Sequence, residues 1–295
     1  MNELKTLVAE ELAQPVNPGV SAMAKAIAGL YPAASRAVLF YGSCLREDQL
    51  DGLMLDFYLI VSDYTAAYGS GYLARANRLV PPNVFPFEHD GLIAKVAVLS
   101  EADFHRLNGP ETRNVSVWAR FAQPSRLVWV ADTPARDTAI AAVARAAPTL
   151  LWAALPMVDA ATRDDPLALW RAAFALTYSA ELRAERGERS QSVVDSAVER
   201  YRRFTAPALA AIATPLPGQT AARRAWARRR REGKALTLVR LAKATTTYAG
   251  GVDYIAWKIN RHAGTDIRVT HWQRRHPILG ALTLLPRLIR SGAIK

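Results

Sequence analysis

The segment from Tyr41 to Val61, YGSCLREDQLDGLMLDFYLIV, constrains the fold most, because it places an acid inside an apolar run. Ala37 to Tyr41 is typical of a short buried strand, and Gly42-Ser43 predicts a sharp turn directly after it. Leu53 to Val61 is a continuous apolar run of strand type that contains Asp56. The segment therefore predicts a strand, a tight turn and a second strand that carries a carboxylate.

A carboxylate in such a run is costly to bury unless it is paired or bound to a metal ion. Asp51 precedes the run and is a candidate second oxygen ligand. Mg²⁺ suits this pair, because it takes hard oxygen ligands and usually keeps substrate phosphates in its other positions. The backbone N–H groups of a Gly-Ser turn can bind phosphate, so the combination indicates nucleotidyl transfer. A plain Gly-Ser hairpin and a core strand whose Asp bonds to backbone explain the pattern equally well.

Charge and cysteine content restrict the class of protein. Thirty-eight Lys and Arg against 26 Asp and Glu give a net charge of +12, which favours nucleotides, nucleic acid or an acidic membrane surface as partners. The single cysteine, Cys44, excludes an internal disulfide and a cysteine-cluster metal site, and it fits a reducing compartment. The sequence shows no secretory signal, and its uninterrupted apolar runs are shorter than the ~20 residues that span a bilayer. We therefore expect a cytoplasmic protein that is at most peripheral to a membrane.

The order of patterns predicts an α/β part followed by a largely helical part, with the change near Asp132. Strand patterns at 37–41, 53–61 and 92–99, and one that ends at 130, alternate with helical patterns. From Thr138 onward the chain is rich in Ala, Leu and Arg with helical periodicity. We predict an α/β domain with a mixed sheet over 1–132, a mainly helical domain over 133–265 and a basic amphipathic tail over 266–295.

The tail carries the features of a segment that lies on a membrane surface. Val269 to Lys295 places Trp272 and several Leu residues beside cations, and Ala222 to Lys234, ARRAWARRRREGK, combines a dense Arg run with Trp226. Such segments bind anionic lipid headgroups. A solvated helix face explains the Arg run equally well, and a helix docked on the protein core explains the Leu-rich end. The tail residues predicted to contact lipid are Arg274, Arg275, Arg287 and Arg290.

Five blocks of sequence follow one another in a recognisable order: YGS with MLDFYLIV, GLIAKVAVLS, VWARFAQPSRLV, FALTYSAELRAERGERSQSVVDSAVERYRRF and GGVDYIAWKINRH. They resemble the mitochondrial-type phosphatidate cytidylyltransferases, the peripheral CDP-diacylglycerol synthases of the translocator-maintenance family, which also has bacterial members. Lys95 and Arg120 match the family's lysine and arginine in the second and third blocks. Tyr178, Ser179 and Arg183 match positions in the fourth block, and Val252, Tyr254 and Lys258 match positions in the fifth.

The resemblance implies a nucleotidyltransferase-type domain followed by a helical domain that is in part winged-helix-like. It also implies a reaction in which the phosphate of phosphatidic acid attacks CTP, giving CDP-diacylglycerol and pyrophosphate at the inner face of the cell membrane. The implied site has Gly42 and Ser43 at the triphosphate, Asp56 with a second acid at a two-metal Mg²⁺ centre, and Lys95 and Arg120 on the phosphates. Arg183, Tyr254 and Lys258 are implied to lie near nucleotide or lipid headgroup.

Two departures from the family pattern leave the second acid open. Cys44 stands where the family has a small residue, and 64–89 matches poorly. The candidate acids are Asp51, Asp63, Glu88 and Asp90, and we favour Asp51.

Purely structural roles for Lys95 and Arg120, and other functions for the protein, also stay open. Lys95 also fits an edge-strand lysine that reaches solvent, and Arg120 also fits a surface ion pair. The alternative functions are nucleotidyl transfer to nucleic acid, a small alcohol or a protein, and an inactive membrane-surface scaffold. We do not expect nucleic acid, because the sequence shows no zinc motif, RNA-binding aromatic signature or clear helix-turn-helix. A homo-oligomer is compatible with the sequence.

Overall fold

The computed structural model describes residues 2–46, 50, 52–181, 189–247, 268–270 and 272. Five strands form one mixed sheet in the order β3-β4-β2-β1-β5. β2 and β4 are parallel, and the other neighbouring pairs are antiparallel. The strands are β1 (Ser35–Tyr41), β2 (Met54–Val61), β3 (Asn83–His89), β4 (Leu92–Ser100) and β5 (Ser125–Val130).

Helices cover both faces of the sheet, and the part of the chain described after residue 132 is mainly helical. The helices are α1 (Asn2–Leu12), α2 (Pro18–Ala28), α3 (Tyr64–Tyr68), α4 (Tyr72–Leu79), α5 (Glu101–Leu107), α6 (Trp118–Phe121), α7 (Thr133–Val143), α8 (Ala146–Ala154), α9 (Ala160–Asp164), α10 (Pro166–Ala180), α11 (Arg189–Asp195), α12 (Val198–Ala210) and α13 (Gln219–Thr247). This architecture confirms the predicted fold class, a mixed sheet with helices followed by a mainly helical region.

Strand β3 is the element that the sequence interpretation missed. None of the strand patterns found in the sequence covers 83–89, and Pro86 lies inside the strand itself. β3 is an edge strand, and an edge strand tolerates proline because one side of its backbone needs no hydrogen-bond donor. The edge position therefore allows a strand that contains a proline to pair with β4.

Alternating residues of the strands build two separate cores. On the first face, Phe40, Phe57 and Val96 belong to a core with residues of α2, α3 and α4. On the second face, Leu39 and Tyr58 share one core with helices from both parts of the chain, including α10 and α13. Apolar burial of this kind is the main stabilising contribution to a fold. The core of the second face thus continues past Asp132, and division of the chain into separately folding domains stays a prediction.

One stretch, Thr133–Met157, is long and apolar enough to cross a membrane by length and composition alone. Charged residues such as Arg136 and Arg145 interrupt it, and 67% of its most apolar part is buried inside the protein. Helices α7 and α8 lie in this stretch, and their Ala139 and Leu150 belong to the core of the second face. A core helix meets the same criterion, so the stretch is weak support for a membrane span.

Trp226 and Gly233 are two of the points at which helix α13 is held against the protein. The ring of Trp226 is fully buried, and its Nε1 donates a hydrogen bond of 2.8 Å to the carbonyl oxygen of Ala153. Seven residues later, Gly233 lies so close to α10 that an added Cβ would overlap the carbonyl oxygen of Ala180. Glycine is required here for helix contact, although it lowers helix propensity.

We expect Gly233→Ala to lower the free energy of unfolding by about 2 kcal/mol, because the methyl group forces α10 and α13 apart. In an open helix the same change would raise stability by ~1 kcal/mol. Urea unfolding measures the difference. The control Ala235→Gly, at an exposed position of α13, should cost ~1 kcal/mol through helix propensity alone. A Gly233→Ala protein that is more stable than the wild type would contradict the close contact.

Candidate functional site

The carboxylate predicted inside the second strand lies on the second face of the sheet. Asp56 on β2 is in register with Tyr41 on β1 and with Lys95 on β4, so the three side chains lie on one face. The Nζ atom of Lys95 is 2.7 Å from Oδ1 of Asp56, and the two side chains are 30% and 28% exposed. The partner of Asp56 is therefore a lysine rather than backbone. β4 is an interior strand, so Lys95 is not an edge-strand lysine.

The turn after β1 lies directly against this acid. Gly42 has a φ of +98°, and a Cβ added to it would be 3.3 Å from Oδ2 of Asp56. An L side chain would strain the backbone at that φ and crowd the carboxylate. Ser43 begins a short 3-10 helix and is exposed. Cys44 is buried with its Sγ 3.5 Å from the carbonyl oxygen of Met54, a packing position. The predicted Gly-Ser turn is confirmed, and it adjoins Asp56.

A cavity of about 180 Å³ opens beside the Lys95–Asp56 pair, between the sheet and the helices of the second face. It brings Lys95 and Arg120 together, although they lie on different elements. The residues that line it are Tyr41, Tyr58, Pro82, Val84, Lys95, Ala97, Ser116, Arg120, Arg240 and Lys243.

Arg120, on α6, is a partly buried cation. Its Nη1 donates a hydrogen bond to the Ser116 carbonyl oxygen and lies 3.5 Å from Oε1 of Glu181. Burial lowers the pKa of Arg120, but the carboxylate of Glu181, together with Tyr58, Tyr41 and Asp56, outweighs burial and raises the pKa above its ordinary value. The Glu181 side chain is only 11% exposed, so this is not the surface ion pair that one interpretation of the sequence allowed.

Tyr41 contributes a neutral hydroxyl group to the same cavity. Burial, and then the charge of Asp56, raises the pKa of Tyr41 well above its ordinary value. Its ring centroid lies 5.2 Å from that of Tyr58, which also lines the cavity. The rings of the two tyrosines therefore form one side of the cavity. The hydroxyl group of Tyr41 stays protonated at neutral pH.

Two further cations enter the cavity from α13, and the sequence interpretation missed both. Arg240 donates hydrogen bonds of 2.8 Å to Oγ of Ser116 and 3.1 Å to the Pro81 carbonyl oxygen. Lys243 donates one of 2.7 Å to the Pro82 carbonyl oxygen and another to the Val80 carbonyl oxygen. A three-residue spacing puts both on one side of the helix, which is the signal that the sequence contained.

Burial and mutual repulsion change the proton affinity of this pair. Burial lowers the pKa of Arg240, and burial followed by the charge of Arg240 lowers the pKa of Lys243 to about 7. With Lys95 and Arg120, the cavity contains four basic side chains beside two carboxylates, Asp56 and Glu181. The excess of positive charge in a concave site favours a polyanionic ligand.

Several residues predicted from sequence cannot be placed. The ones that lie outside the described residues are Asp51, Arg183, Tyr254, Lys258, Arg274, Arg275, Arg287 and Arg290.

Of the other candidate acids, Asp63 accepts hydrogen bonds from the backbone N–H groups of Thr65 and Ala66 at the start of α3, beyond the far end of β2 from Asp56. Asp63 is thus a helix cap rather than a neighbour of Asp56. Asp90 is in the turn between β3 and β4, and Glu88 is on the edge strand β3.

Trp226, proposed with the Arg run as a membrane contact, is fully buried and cannot insert into lipid. The exposed part of that run consists of Arg223, Arg224, Arg228 and Arg231.

The described residues contain no group of three or more His, Cys, Asp or Glu side chains that could hold a metal ion. Mg²⁺ nevertheless needs only one or two protein carboxylates when substrate phosphates and water complete its shell. Oδ1 of Asp56 is buried, and the Nζ atom of Lys95, 2.7 Å away, is the cation that meets its charge. Asp56 thus fits the part of a single carboxylate ligand.

Comparison with known proteins identifies no family. No protein-family model matches the sequence, and no curated protein matches it. Six chains of solved structures match the fold, among them a nucleotidyltransferase-like protein from Exiguobacterium sibiricum 255-15, whose crystal structure was determined at 1.90 Å resolution. That match has 11% sequence identity and a TM-score of 0.29, and it covers 93% of this chain and 92% of the other. A TM-score this low supports no conclusion about activity.

Proposed function

We propose that this protein is a nucleotidyltransferase that transfers CMP from CTP to phosphatidic acid, producing CDP-diacylglycerol and pyrophosphate. The observation that carries the proposal is the basic cavity, in which Lys95 and Arg120 lie beside the Gly42 turn and Asp56. The order of the five sequence blocks supports CTP and phosphatidic acid as the substrates.

The chemistry requires charge neutralisation more than a general base. An oxygen of the acceptor phosphate attacks the α-phosphorus of CTP and forms the new P–O bond. The bond from that phosphorus to the bridging oxygen breaks, and its electron pair leaves with pyrophosphate. Both reactants are anions, so the barrier falls when basic groups hold them together and offset the developing charge.

The cavity residues can perform these tasks. Arg120 keeps its charge throughout the physiological pH range, and Lys95 places an ammonium group in the cavity beside Asp56. Backbone N–H groups at Gly42 and Ser43 can bind phosphate oxygen atoms. Mg²⁺ held by Asp56, with Asp51 as a second ligand, would neutralise phosphate charge.

The volume of the cavity indicates which part of the substrate it takes. At about 180 Å³ it is smaller than the roughly 300 Å³ at the lower end of small-molecule pockets. It therefore suits phosphate groups rather than an entire nucleotide. The base and the acyl chains would lie outside it.

Access to a lipid substrate requires contact with a bilayer. The net charge of +12 favours an anionic surface, and the exposed arginines at the start of α13 add to it. We therefore place the protein at the inner face of the cell membrane as a peripheral protein. The predicted tail, 266–295, would strengthen the contact.

The test is pyrophosphate release by the purified full chain with Mg²⁺, each of the four NTPs, and vesicles that contain phosphatidic acid. We expect release with CTP and only when phosphatidic acid is present. Vesicles with phosphatidylserine in place of phosphatidic acid are the control, because they keep the anionic surface and lack the phosphomonoester. CTP-dependent release that requires RNA, a small alcohol or a protein would contradict the lipid acceptor. Vesicle binding without CTP binding would contradict the enzyme.

A further inference from the structure

Arg240 differs from Lys95 and Arg120 in what it contacts. Lys95 lies against the carboxylate of Asp56, and Arg120 lies near that of Glu181. Within the described part of the chain, Arg240 hydrogen-bonds only neutral oxygen atoms, those of Pro81 and Ser116. Its positive charge therefore remains available to an anion in the cavity.

The side chains of Arg240 and Lys243 are also close enough to repel each other. They lie on the same side of α13, both line the cavity, and both are only partly exposed. The repulsion is apparent in Lys243, whose pKa is lowered first by burial and then by the charge of Arg240. An anion bound between two such cations offsets this repulsion. It also replaces the favourable interaction with water that the two charged side chains lost on burial.

We propose that Arg240 and Lys243 form a phosphate-binding subsite, with Ser116 holding the guanidinium of Arg240 in place. A tetrahedral anion with two or more negative charges fits two adjacent donors of this kind. The source of this anion in the cell rests on the proposed function, under which two phosphate groups have the required charge. One is the pyrophosphate end of CTP and the other is the phosphomonoester of phosphatidic acid.

A simpler role for the same contacts is to tie α13 to the backbone at 80–82. That role predicts that substitutions lower stability and leave anion affinity unchanged once the protein is folded. The subsite predicts a loss of affinity in folded protein, so binding and unfolding are measured on each variant.

The first experiment is calorimetric titration of the full chain with inorganic pyrophosphate, in the absence of CTP and lipid. We expect Lys243→Met and Arg240→Met each to weaken binding at least about tenfold, since each removes a charge-assisted hydrogen bond. The matched controls are Lys234→Met and Arg231→Met, exposed cations on the same helix. They should stay within about twofold of wild type. Equal weakening in the controls, or none in the cavity variants, overturns the subsite.

The second experiment uses pH and applies even if the methionine variants fail to fold. Near pH 7 Lys243 loses its proton, so its contribution to anion binding is present below that pH and lost above it. Sulfate is the probe, because its charge is constant in this range. We expect sulfate affinity to fall about tenfold from pH ~6 to pH ~8.5 in the wild type, and to change little in Lys243→Arg, whose guanidinium stays charged.

The wild type and Lys243→Arg have the same other charged groups in and around the cavity. They are Arg240, Arg120, Lys95, Asp56 and Glu181, beside the hydroxyl groups of Tyr41 and Tyr58. A fall in affinity that is identical in wild type and Lys243→Arg would assign the pH dependence to one of these groups and overturn the role of Lys243.

A third measurement separates the two phosphate sources. If the subsite holds the pyrophosphate end of CTP, Lys243→Met weakens CTP binding and leaves CMP binding unchanged. If it holds the acceptor, CTP binding is retained and the KM for phosphatidic acid rises about tenfold. Pyrophosphate binding needs no turnover, so a protein that binds pyrophosphate through Arg240 and Lys243 but lacks lipid-dependent CTP use contradicts only the proposed function.

Discussion

Asp56→Asn is expected to reduce CTP turnover about 10³-fold while changing the free energy of unfolding by less than about 1 kcal/mol. Turnover falls because the amide carries no charge and cannot replace the carboxylate that faces the Gly42 turn. Stability changes little because Asp56 and Lys95 are 28% and 30% exposed, and solvent screens such a pair. Pyrophosphate release and urea unfolding measure the two effects.

Asp137→Asn is the matched control, an identical change at an exposed position of α7 away from the cavity. It should leave both quantities at wild-type values. Retained turnover in Asp56→Asn would remove this carboxylate from the site. A large loss of stability would show instead that its pairing with Lys95 is structural.

Arg120→Met is expected to have two large effects, on turnover and on stability. Turnover should fall about 10²-fold or more, because a partly buried positive charge is lost from the cavity that we propose to bind the phosphates. The free energy of unfolding should fall by about 3 kcal/mol, because Glu181, at 11% exposure, keeps a charge with no partner of opposite sign from α6. Urea unfolding and pyrophosphate release again measure both.

A second substitution separates the two effects. In Arg120→Met with Glu181→Gln, the carboxylate that faced Arg120 is also removed, so about 2 kcal/mol of the lost stability should return. Turnover should remain low, because the cation is still absent. A double variant that regains turnover together with stability would show that Arg120 supports the fold without acting on substrate.

The centre of the site was predictable from local sequence. A strand, a glycine that adopts positive φ and an acid in the next apolar run are neighbours in the chain, and strand pairing brings Gly42 and Asp56 together. Lys95 was a candidate phosphate-binding residue because it matches a lysine in one of the sequence blocks that resemble the cytidylyltransferase family. Its pairing with Asp56, however, depends on the parallel register of β2 and β4, and the single-strand patterns did not specify that register.

The rest of the cavity depends on contacts between distant parts of the chain. Arg240 bonds to Pro81, 159 positions away, and no local periodicity encodes that contact. Trp226 was predicted to contact a membrane, because an aromatic residue among arginines suits a membrane surface. Its ring is instead buried in the protein core. Strand β3 was missed because Pro86 inside it and Pro81-Pro82 just before it masked the strand pattern. In each case tertiary packing outweighed a local preference.

The shared core on the second face of the sheet has a consequence for synthesis. Leu39 and Tyr58 emerge from the ribosome long before Trp226, which joins the same core. Until Trp226 has been translated this core is incomplete, and an incompletely covered apolar face favours chaperone binding and slower folding. The proposed anion site needs Arg240 and Lys243, so it cannot form until both residues have been translated.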